Sequence, residues 1–160
     1  MLLGVDLGGT KIEGIVLKSK ENPEKVIRYR VDTEEEKGYS HVINNIKSLV
    51  GYIENKINYK FNRLGIGTPG TIDPDTGLLK NSNSQCLNGM PIKNDLSTIL
   101  DKTILIQNDA NCFALAETVL GSVRDQYPSA KNVFGIIIGT GVGGGVIIEG
   151  KALYGNQGIG

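Results

Sequence analysis

The chain opens with the stretch Leu2-Leu3-Gly4-Val5-Asp6-Leu7-Gly8-Gly9-Thr10-Lys11-Ile12, an apolar run, a two-glycine turn and the start of a second apolar run. This pattern predicts strands over residues 2–7 and 12–17, and the alternation over residues 26–31 predicts a third. Three successive strands with short connections make an antiparallel meander. Apolar residues at helical spacing over residues 39–57 then predict a helix with one buried face.

The rest of the chain alternates between strand and helix patterns. Helical spacing recurs over residues 95–100 and 110–120, and short apolar runs predict strands at residues 64–67, 103–106, 133–138 and 146–148. The segment over residues 67–94 is rich in Gly, Pro, Asn and Ser, which predicts turns and a small hairpin with a tight reversal at Pro74-Asp75-Thr76-Gly77. Glu34-Glu35-Glu36 predicts a solvated loop or the approach to a helix.

These patterns predict an α/β fold with one domain over residues 1–121 and the opening strands of a second over residues 122–160. The proposed boundary is the polar segment over residues 122–131, which contains Pro128.

Composition indicates a globular protein and excludes several functional classes. The 160 residues include 39% hydrophobic and 21% charged residues, and the formal net charge of zero gives no electrostatic case for nucleic acid or a membrane surface. Cys86, Cys112 and the one histidine, His41, do not have the spacing of a disulfide framework or a zinc site. Without a signal-peptide pattern or an apolar run of roughly 18 residues, we expect a cytoplasmic protein.

The first glycine turn, Gly8-Gly9-Thr10-Lys11, is a candidate phosphate-binding turn. Glycine lets backbone N–H groups face an anion without obstruction, while Thr10 adds a hydroxyl and Lys11 a positive charge. Asp6, at the end of the preceding strand, can hold Mg²⁺ directly or through water. The alternative is an ordinary Gly-Gly hairpin turn with a solvated lysine, and two glycines alone do not decide between them.

A second glycine-rich segment is Gly139-Thr140-Gly141-Val142-Gly143-Gly144-Gly145, which contains the spacing Gly-x-Gly-x-x-Gly. A dinucleotide-binding site requires a helix after that spacing, but a strand is predicted here. Residues 65–70 have the same spacing and also lack a following helix. The pattern therefore predicts a second glycine hairpin, and two such hairpins could grip a triphosphate from opposite sides.

Asn108-Asp109-Ala110-Asn111 lies between a predicted strand and a predicted helix, where ligands bind in α/β folds. The carboxylate of Asp109 can accept the proton of a sugar hydroxyl that attacks phosphorus. The alternative is a helix N-cap, a common use of Asp and Asn, but the two glycine segments favour catalysis.

The polar run Asn81-Ser82-Asn83-Ser84 is either a solvated loop, which the sequence alone favours, or a site of hydroxyl recognition.

Four motifs together resemble the ROK family (repressor, open reading frame, kinase), and within it the sugar kinases. Their order and spacing agree along all 160 residues, and they are Gly4-Val5-Asp6-Leu7-Gly8-Gly9-Thr10-Lys11, Gly65-Ile66-Gly67-Thr68-Pro69-Gly70, Asn108-Asp109-Ala110-Asn111 and the second glycine segment. The resemblance implies the actin-like ATPase fold, in which two α/β domains with ribonuclease-H-like sheets lie around a cleft.

The same resemblance implies roles for individual residues, with ATP and Mg²⁺ as cofactors and a hexose as substrate. Asp109 would be the general base, and the residues at sugar-contacting positions would be Gly70, Asn83 and Asn108. The first phosphate turn would consist of Gly8, Gly9, Thr10 and Lys11, and the second would include Gly139, Thr140 and Gly141. Asp6 would lie near Mg²⁺.

Two groups of kinases within the family are similar in these motifs. Residues 80–84 followed by Leu87-Asn88-Gly89 resemble bacterial fructokinases of the manno(fructo)kinase type, and residues 108–115 equally resemble N-acetylglucosamine kinases. We expect a fructose- or mannose-type hexokinase, with an N-acetylglucosamine kinase or glucokinase as the alternative.

The family kinases are roughly twice as long as this chain, as two such domains require. Beyond the position of Gly160 they carry an acidic-x-Gly-His sugar motif and, in many members, a zinc site. We therefore expect the N-terminal half of a kinase, inactive by itself, with zinc at most in the other half and a homodimer at full length. A repressor of the family would need a DNA-binding domain ahead of Asp6, and a non-catalytic sugar-binding domain would not need Asp109 with both glycine segments.

Overall fold

The computed structural model describes residues 1–138 and 142–155. These described residues divide into two compact units, the first ending at Gln107 and the second beginning at Asn108. The helices are α1 (Tyr39–Ile57), α2 (Ile92–Leu100), α3 (Asp109–Val119) and α4 (Ser122–Gln126). The strands are β1 (Leu2–Leu7), β2 (Lys11–Leu17), β3 (Lys25–Asp32), β4 (Arg63–Thr68), β5 (Thr71–Ile72), β6 (Leu79–Lys80), β7 (Thr103–Asn108), β8 (Asn132–Ile138), β9 (Val142–Ile148) and β10 (Lys151–Ala152). Within these described ranges, no helix is both long enough and apolar enough to cross a membrane.

The first unit is built on a five-stranded sheet with the order β3-β2-β1-β4-β7. β1, β2 and β3 pair antiparallel, which confirms the predicted meander, and β4 pairs with β1 in parallel. A meander with a parallel strand on its far side is the mixed sheet of the ribonuclease-H-like fold. The predicted fold class is confirmed.

One face of this sheet is covered by α1, whose predicted bounds are confirmed. Its apolar residues repeat at helical spacing, and most of them are buried: Val42, Ile43, Ile46, Leu49, Val50 and Ile53. Gly14 of β2 lets α1 approach closely, because a Cβ at that position would lie 2.5 Å from the side chain of Ile53. On the opposite face, Asp6 and Glu13 are cross-strand neighbours. Asp6 is exposed, and Glu13 forms ion pairs with Arg28 and Arg30 of β3.

The small hairpin of β5 and β6 confirms the reversal predicted at residues 74–77. The N–H of Gly77 donates to the carbonyl of Asp73 (2.8 Å), and the Asp73 side chain accepts from the N–H groups of Asp75 and Thr76. α2 begins at Ile92, three residues earlier than predicted, because Ile92 and Leu96 are both buried and extend its apolar face to the residue after Pro91.

In the second unit, α3 packs against the hairpin of β8 and β9. Gly145 and Gly135 make this contact close, since a Cβ at Gly145 would lie 2.5 Å from the carbonyl oxygen of Ala110 and one at Gly135 would lie 2.7 Å from Ala114 Cβ. The strand predicted at residues 146–148 begins at Val142, so the prediction that it starts only after the glycine segment is wrong over residues 142–145. Glycine is unfavourable in strands by propensity, but here its missing side chain provides the room for α3.

The predicted domain boundary after residue 121 stays a prediction. By contacts within the chain, α3 groups with the strands that follow it, and the compact units divide between Gln107 and Asn108. The segment predicted as a polar connection over residues 122–131 begins with the short helix α4.

A buried ion pair joins the C-terminal end of α1 to the residues around β4 and β7. Glu54 and Lys102 are almost fully buried and lie 2.8 Å apart, and Glu54 also accepts hydrogen bonds from the Phe61 N–H and from Lys60. Burial alone would raise the pKa of Glu54, but these hydrogen bonds, the one from Lys102 foremost, bring the pKa below its ordinary value of 4.5. The folded state therefore favours the ionised carboxylate.

We expect Glu54→Gln to destabilise the protein at neutral pH by about 3 kcal/mol, because it leaves Lys102 as an unpaired buried charge. The lowered pKa of Glu54 means that its stabilising contribution is present above about pH 4.5 and is lost as the pH falls through the folded-state pKa. Urea unfolding across this range should show a smaller acid loss of stability in the variant. Glu24→Gln, which removes an exposed ion pair with Lys18, is the control and should change little. Equal acid sensitivity of Glu54→Gln and wild type would contradict this role.

Candidate active site

The first glycine turn connects β1 and β2 and is held from below by Thr33. The N–H of Gly8 donates to the carbonyl of Lys11 (3.0 Å), which closes the turn. The buried Thr33 donates its hydroxyl to the carbonyl of Gly8 (2.6 Å) and its N–H to the carbonyl of Thr10 (2.9 Å). Because both carbonyls are engaged on the inner side, the turn has a fixed conformation.

The tip of the turn exposes backbone donors. Gly9 and Thr10 are exposed, and among the hydrogen bonds of the described residues none uses the N–H of either. Lys11 forms an exposed ion pair with Asp32, so its predicted role at the phosphates requires that the ammonium group shares or leaves this partner. Asp6, the predicted Mg²⁺ residue, is an exposed side chain near the end of β1. The exposed backbone N–H groups at the tip can therefore donate hydrogen bonds to an anion.

The acidic run after β3 leads into α1, which agrees with the second of its two predicted alternatives, a solvated loop or the approach to a helix. Glu35 begins a short 3-10 turn, and its Oε2 atom is inaccessible to solvent and has no hydrogen-bond partner among the described residues. A Cβ placed on Gly9 would lie 3.8 Å from this atom and 3.5 Å from Ser84 Oγ. The carboxylate thus lies beside the first glycine turn, which the charge pattern did not predict.

The amide loop (residues 81–84) is a rigid structure in which serines are buried and asparagines are exposed. The side chain of Asn88 accepts from the N–H of Ser82 (2.9 Å) and donates to its carbonyl (2.9 Å). The Ser82 hydroxyl accepts from the N–H of Ser84 (3.1 Å). Of the two alternatives for this run, the solvated loop therefore describes Asn81 and Asn83 only. Asn83, the predicted sugar contact, is exposed on a fixed backbone.

Gly70 is placed against the start of the amide loop. Its φ of +81° lies in the left-handed region that favours glycine, and a Cβ here would be 2.3 Å from the Lys80 carbonyl oxygen and 2.8 Å from Ser82 N. The structure therefore brings two predicted sugar-contacting segments together within the first unit. No side chain fits at this crossing.

The amide loop and the β5–β6 hairpin also line an open pocket of about 490 Å³, to which Asn81, Ser82 and Asn88 contribute. Asp73 and Lys80 form an ion pair at this pocket (2.7 Å). The hydrogen bonds from Lys80 and from the Thr76 N–H lower the pKa of Asp73 to about 2. This carboxylate is therefore ionised, and its hydrogen bonds stabilise the β5–β6 hairpin.

In the second unit, the helix-capping role falls to Asn108. Its Oδ1 accepts from the N–H groups of Ala110 (3.0 Å) and Asn111 (3.3 Å). Asp109 is the first residue of α3 and is half-buried, and its Oδ1 accepts from the Ala110 N–H (2.8 Å). The N-cap of α3 is therefore Asn108, and not Asp109 as the alternative interpretation has it. The other carboxylate oxygen of Asp109 is not needed to cap the helix.

The second glycine segment is described only from Val142 onward. Gly139, Thr140 and Gly141 lie outside the described residues. The following residues of the segment, Val142–Ile148, form β9.

The sheet of the first unit, followed by a strand-to-helix junction with a carboxylate at the first helical position, defines an actin-like ATPase fold. Among solved structures, the chain is similar to a ROK hexokinase from Thermus thermophilus, with a TM-score of 0.81 and 30% identity over 98% of this chain and 50% of that one. It is also similar to a ROK family glucokinase from Streptomyces griseus in complex with glucose and AMPPNP, with a TM-score of 0.80 and 26% identity over 99% and 47% of the two chains.

The chain belongs to the ROK family, whose model matches residues 2–160. It is 40% identical to the N-acetyl-D-glucosamine kinase of Histophilus somni, over 99% of this chain and 50% of that protein. It is 37% identical to the N-acetyl-D-glucosamine kinase of Aliivibrio fischeri, over 97% of this chain and 48% of that protein. The chain spans about half the length of these curated relatives.

Proposed function

We propose that the protein is an ATP-dependent sugar kinase of the ROK family and that N-acetylglucosamine is its substrate. The proposal rests on the start of α3, where Asn108 caps the helix and one carboxylate oxygen of the adjacent Asp109 is not used by the cap. We assign that oxygen to a substrate hydroxyl. A kinase requires such a base beside the acceptor hydroxyl.

The chemistry assigned to Asp109 is removal of a proton from the attacking sugar hydroxyl. As that oxygen gains its bond to phosphorus, its proton passes to the carboxylate, so no free alkoxide has to form. Asn108 lies next to this group and, with Gly70 and Asn83, is proposed to orient the sugar. Exposed amides such as Asn83 donate and accept at once, as recognition of hydroxyl groups requires.

The first glycine turn fits the phosphates of a nucleotide. The Gly9 and Thr10 N–H groups at its tip, the Thr10 hydroxyl and the Lys11 ammonium group are donors suited to an anion, and Gly9 carries no side chain that would obstruct it. ATP is the proposed phosphoryl donor, and ADP leaves as the bond between the β- and γ-phosphates breaks. Asp6 would hold Mg²⁺, which would neutralise charge on the phosphates. The same roles are proposed for Gly8 in the first turn and for Gly139, Thr140 and Gly141 in the second.

The choice of sugar departs from the fructose- or mannose-type specificity expected from the amide loop. The relatives named above are N-acetyl-D-glucosamine kinases that match almost the whole chain at 37–40% identity, which supports the alternative. A homodimer of the full-length protein stays a prediction.

We expect the full-length protein to phosphorylate N-acetylglucosamine with a kcat/KM at least tenfold above the values for glucose, mannose and fructose. Coupled detection of ADP with each sugar at several concentrations measures these values. The control is ATP without sugar, which should release little ADP. A preference for fructose or mannose would contradict the proposed substrate but would still agree with the proposed kinase activity. ADP release that no sugar stimulates would contradict the kinase itself.

A further inference from the structure

Glu35 places one carboxylate oxygen without a partner beside the first glycine turn. Its Oε2 atom has no solvent contact and no hydrogen-bond donor among the described residues. A buried anionic oxygen in this state carries a desolvation cost that a bound donor or cation would offset. Such an atom is therefore a candidate ligand for a group that binds at the turn.

The basic side chains nearest to Glu35 along the chain and at the first glycine turn form ion pairs with other carboxylates. Lys37 and His41 both bind the carboxylate of Glu34, the latter at 2.7 Å, and Lys11 pairs with Asp32. None of the three forms an ion pair with Glu35 in the described part of the chain. A positive charge for Glu35 therefore has to come from outside the described part of the chain, and a bound cation is one source.

Glu35 Oε2 and Ser84 Oγ both lie next to the tip of the first glycine turn, where nucleotide phosphates are proposed to bind. The position that a Gly9 side chain would occupy lies 3.8 Å from Glu35 Oε2 and 3.5 Å from Ser84 Oγ, so a small group there would contact a carboxylate, a hydroxyl and the tip of the turn. Mg²⁺ prefers oxygen ligands and usually binds through one or two carboxylates together with substrate phosphates and several waters. A bare carboxylate would instead repel a nucleotide tail.

We propose that Glu35 is a magnesium residue of the nucleotide site, with Ser84 as a second oxygen partner. This inference rests on the proposed nucleotide site and adds Glu35 and Ser84 to Asp6 at its metal side.

The test is the dependence of ADP affinity on Mg²⁺, measured by calorimetry on the full-length protein with Mg²⁺ and with a chelator. For wild type, Mg²⁺ should tighten ADP binding. For Glu35→Gln, this tightening should fall at least tenfold, while affinity in chelator stays equal or rises because a repelling charge is gone. Glu36→Gln, which neutralises an exposed neighbour, is the matched control and should retain the wild-type ratio.

The other outcomes overturn the proposal in distinguishable ways. If Glu35→Gln keeps the wild-type ratio, or weakens ADP binding equally in both conditions, Glu35 does not act through the cation. If wild type binds no ADP in either condition, the nucleotide site itself is wrong. Should Glu35→Gln fail to fold, Ser84→Ala decides, since a reduced Mg²⁺ ratio supports the proposal and an unchanged ratio contradicts it.

Discussion

We expect Asp109→Asn to lower kcat for sugar phosphorylation by about 10²–10⁴-fold, the usual contribution of a general base. Asparagine has nearly the same shape as aspartate but cannot accept the proton of the attacking hydroxyl. The cap of α3 should survive because Asn108 supplies it, so the loss should not come from unfolding. Initial rates at saturating ATP and sugar measure the effect, and calorimetry with the sugar should give a nearly unchanged Kd.

The matched control for this prediction is Asp101→Asn. Asp101 is an exposed residue in the left-handed conformation at the end of α2, and asparagine tolerates that conformation. The control removes one negative charge without touching the base, and its kcat should equal that of wild type. Turnover at the wild-type rate in Asp109→Asn would remove Asp109 from the chemistry.

We expect Gly70→Ala to destabilise the protein by about 2–4 kcal/mol and to weaken sugar binding at least tenfold. The new methyl group would have to displace the backbone of Lys80 and Ser82, which lies 2.3–2.8 Å from its position, and the φ of +81° is unfavourable for alanine. Displacement of Lys80 would move the amide loop and with it Asn83. Urea unfolding measures the first effect and calorimetry with the sugar the second.

Gly77→Ala separates the two causes. Gly77 also has a positive φ, of +73°, but nothing lies within 4 Å of a Cβ placed there. This variant should lose only the roughly 1–2 kcal/mol that a left-handed alanine costs, and it should bind sugar like wild type. Equal losses in both variants would show that the crossing of Gly70 with the amide loop has no role in the sugar site.

The elements that sequence predicted well are those with a clear period. The spacing of Val42, Ile46, Leu49 and Ile53 defines α1 because one buried face requires it, and the meander follows from alternation and short turns. β9 was predicted too short because glycine contributes no periodic signal. Its glycines are accommodated by the approach of α3, a tertiary contact that no local pattern contains.

The sequence predicts the motifs of the candidate site, but it does not predict which residue caps α3 or that Glu35 lies beside the first glycine turn. Whether Asn108 or Asp109 caps α3 depends on backbone angles, and Asn108 has the extended conformation of a cap (φ −59°, ψ 140°). Glu35 was missed for a different reason. Three consecutive glutamates indicate a solvated loop or the approach to a helix, and neither pattern singles out one of them. The hydrogen bonds of Thr33 to the first glycine turn bring the next residues against it, where one carboxylate oxygen of Glu35 is buried.

The measurement that tests the proposed phosphotransferase most directly is ³¹P NMR of the full-length protein with ATP, Mg²⁺ and N-acetylglucosamine. The proposal predicts that a sugar phosphomonoester and ADP appear in equal amounts, and that neither appears when Asp109→Asn replaces wild type for the same time. Inorganic phosphate in place of the phosphomonoester, or product formed equally fast by Asp109→Asn, would contradict it.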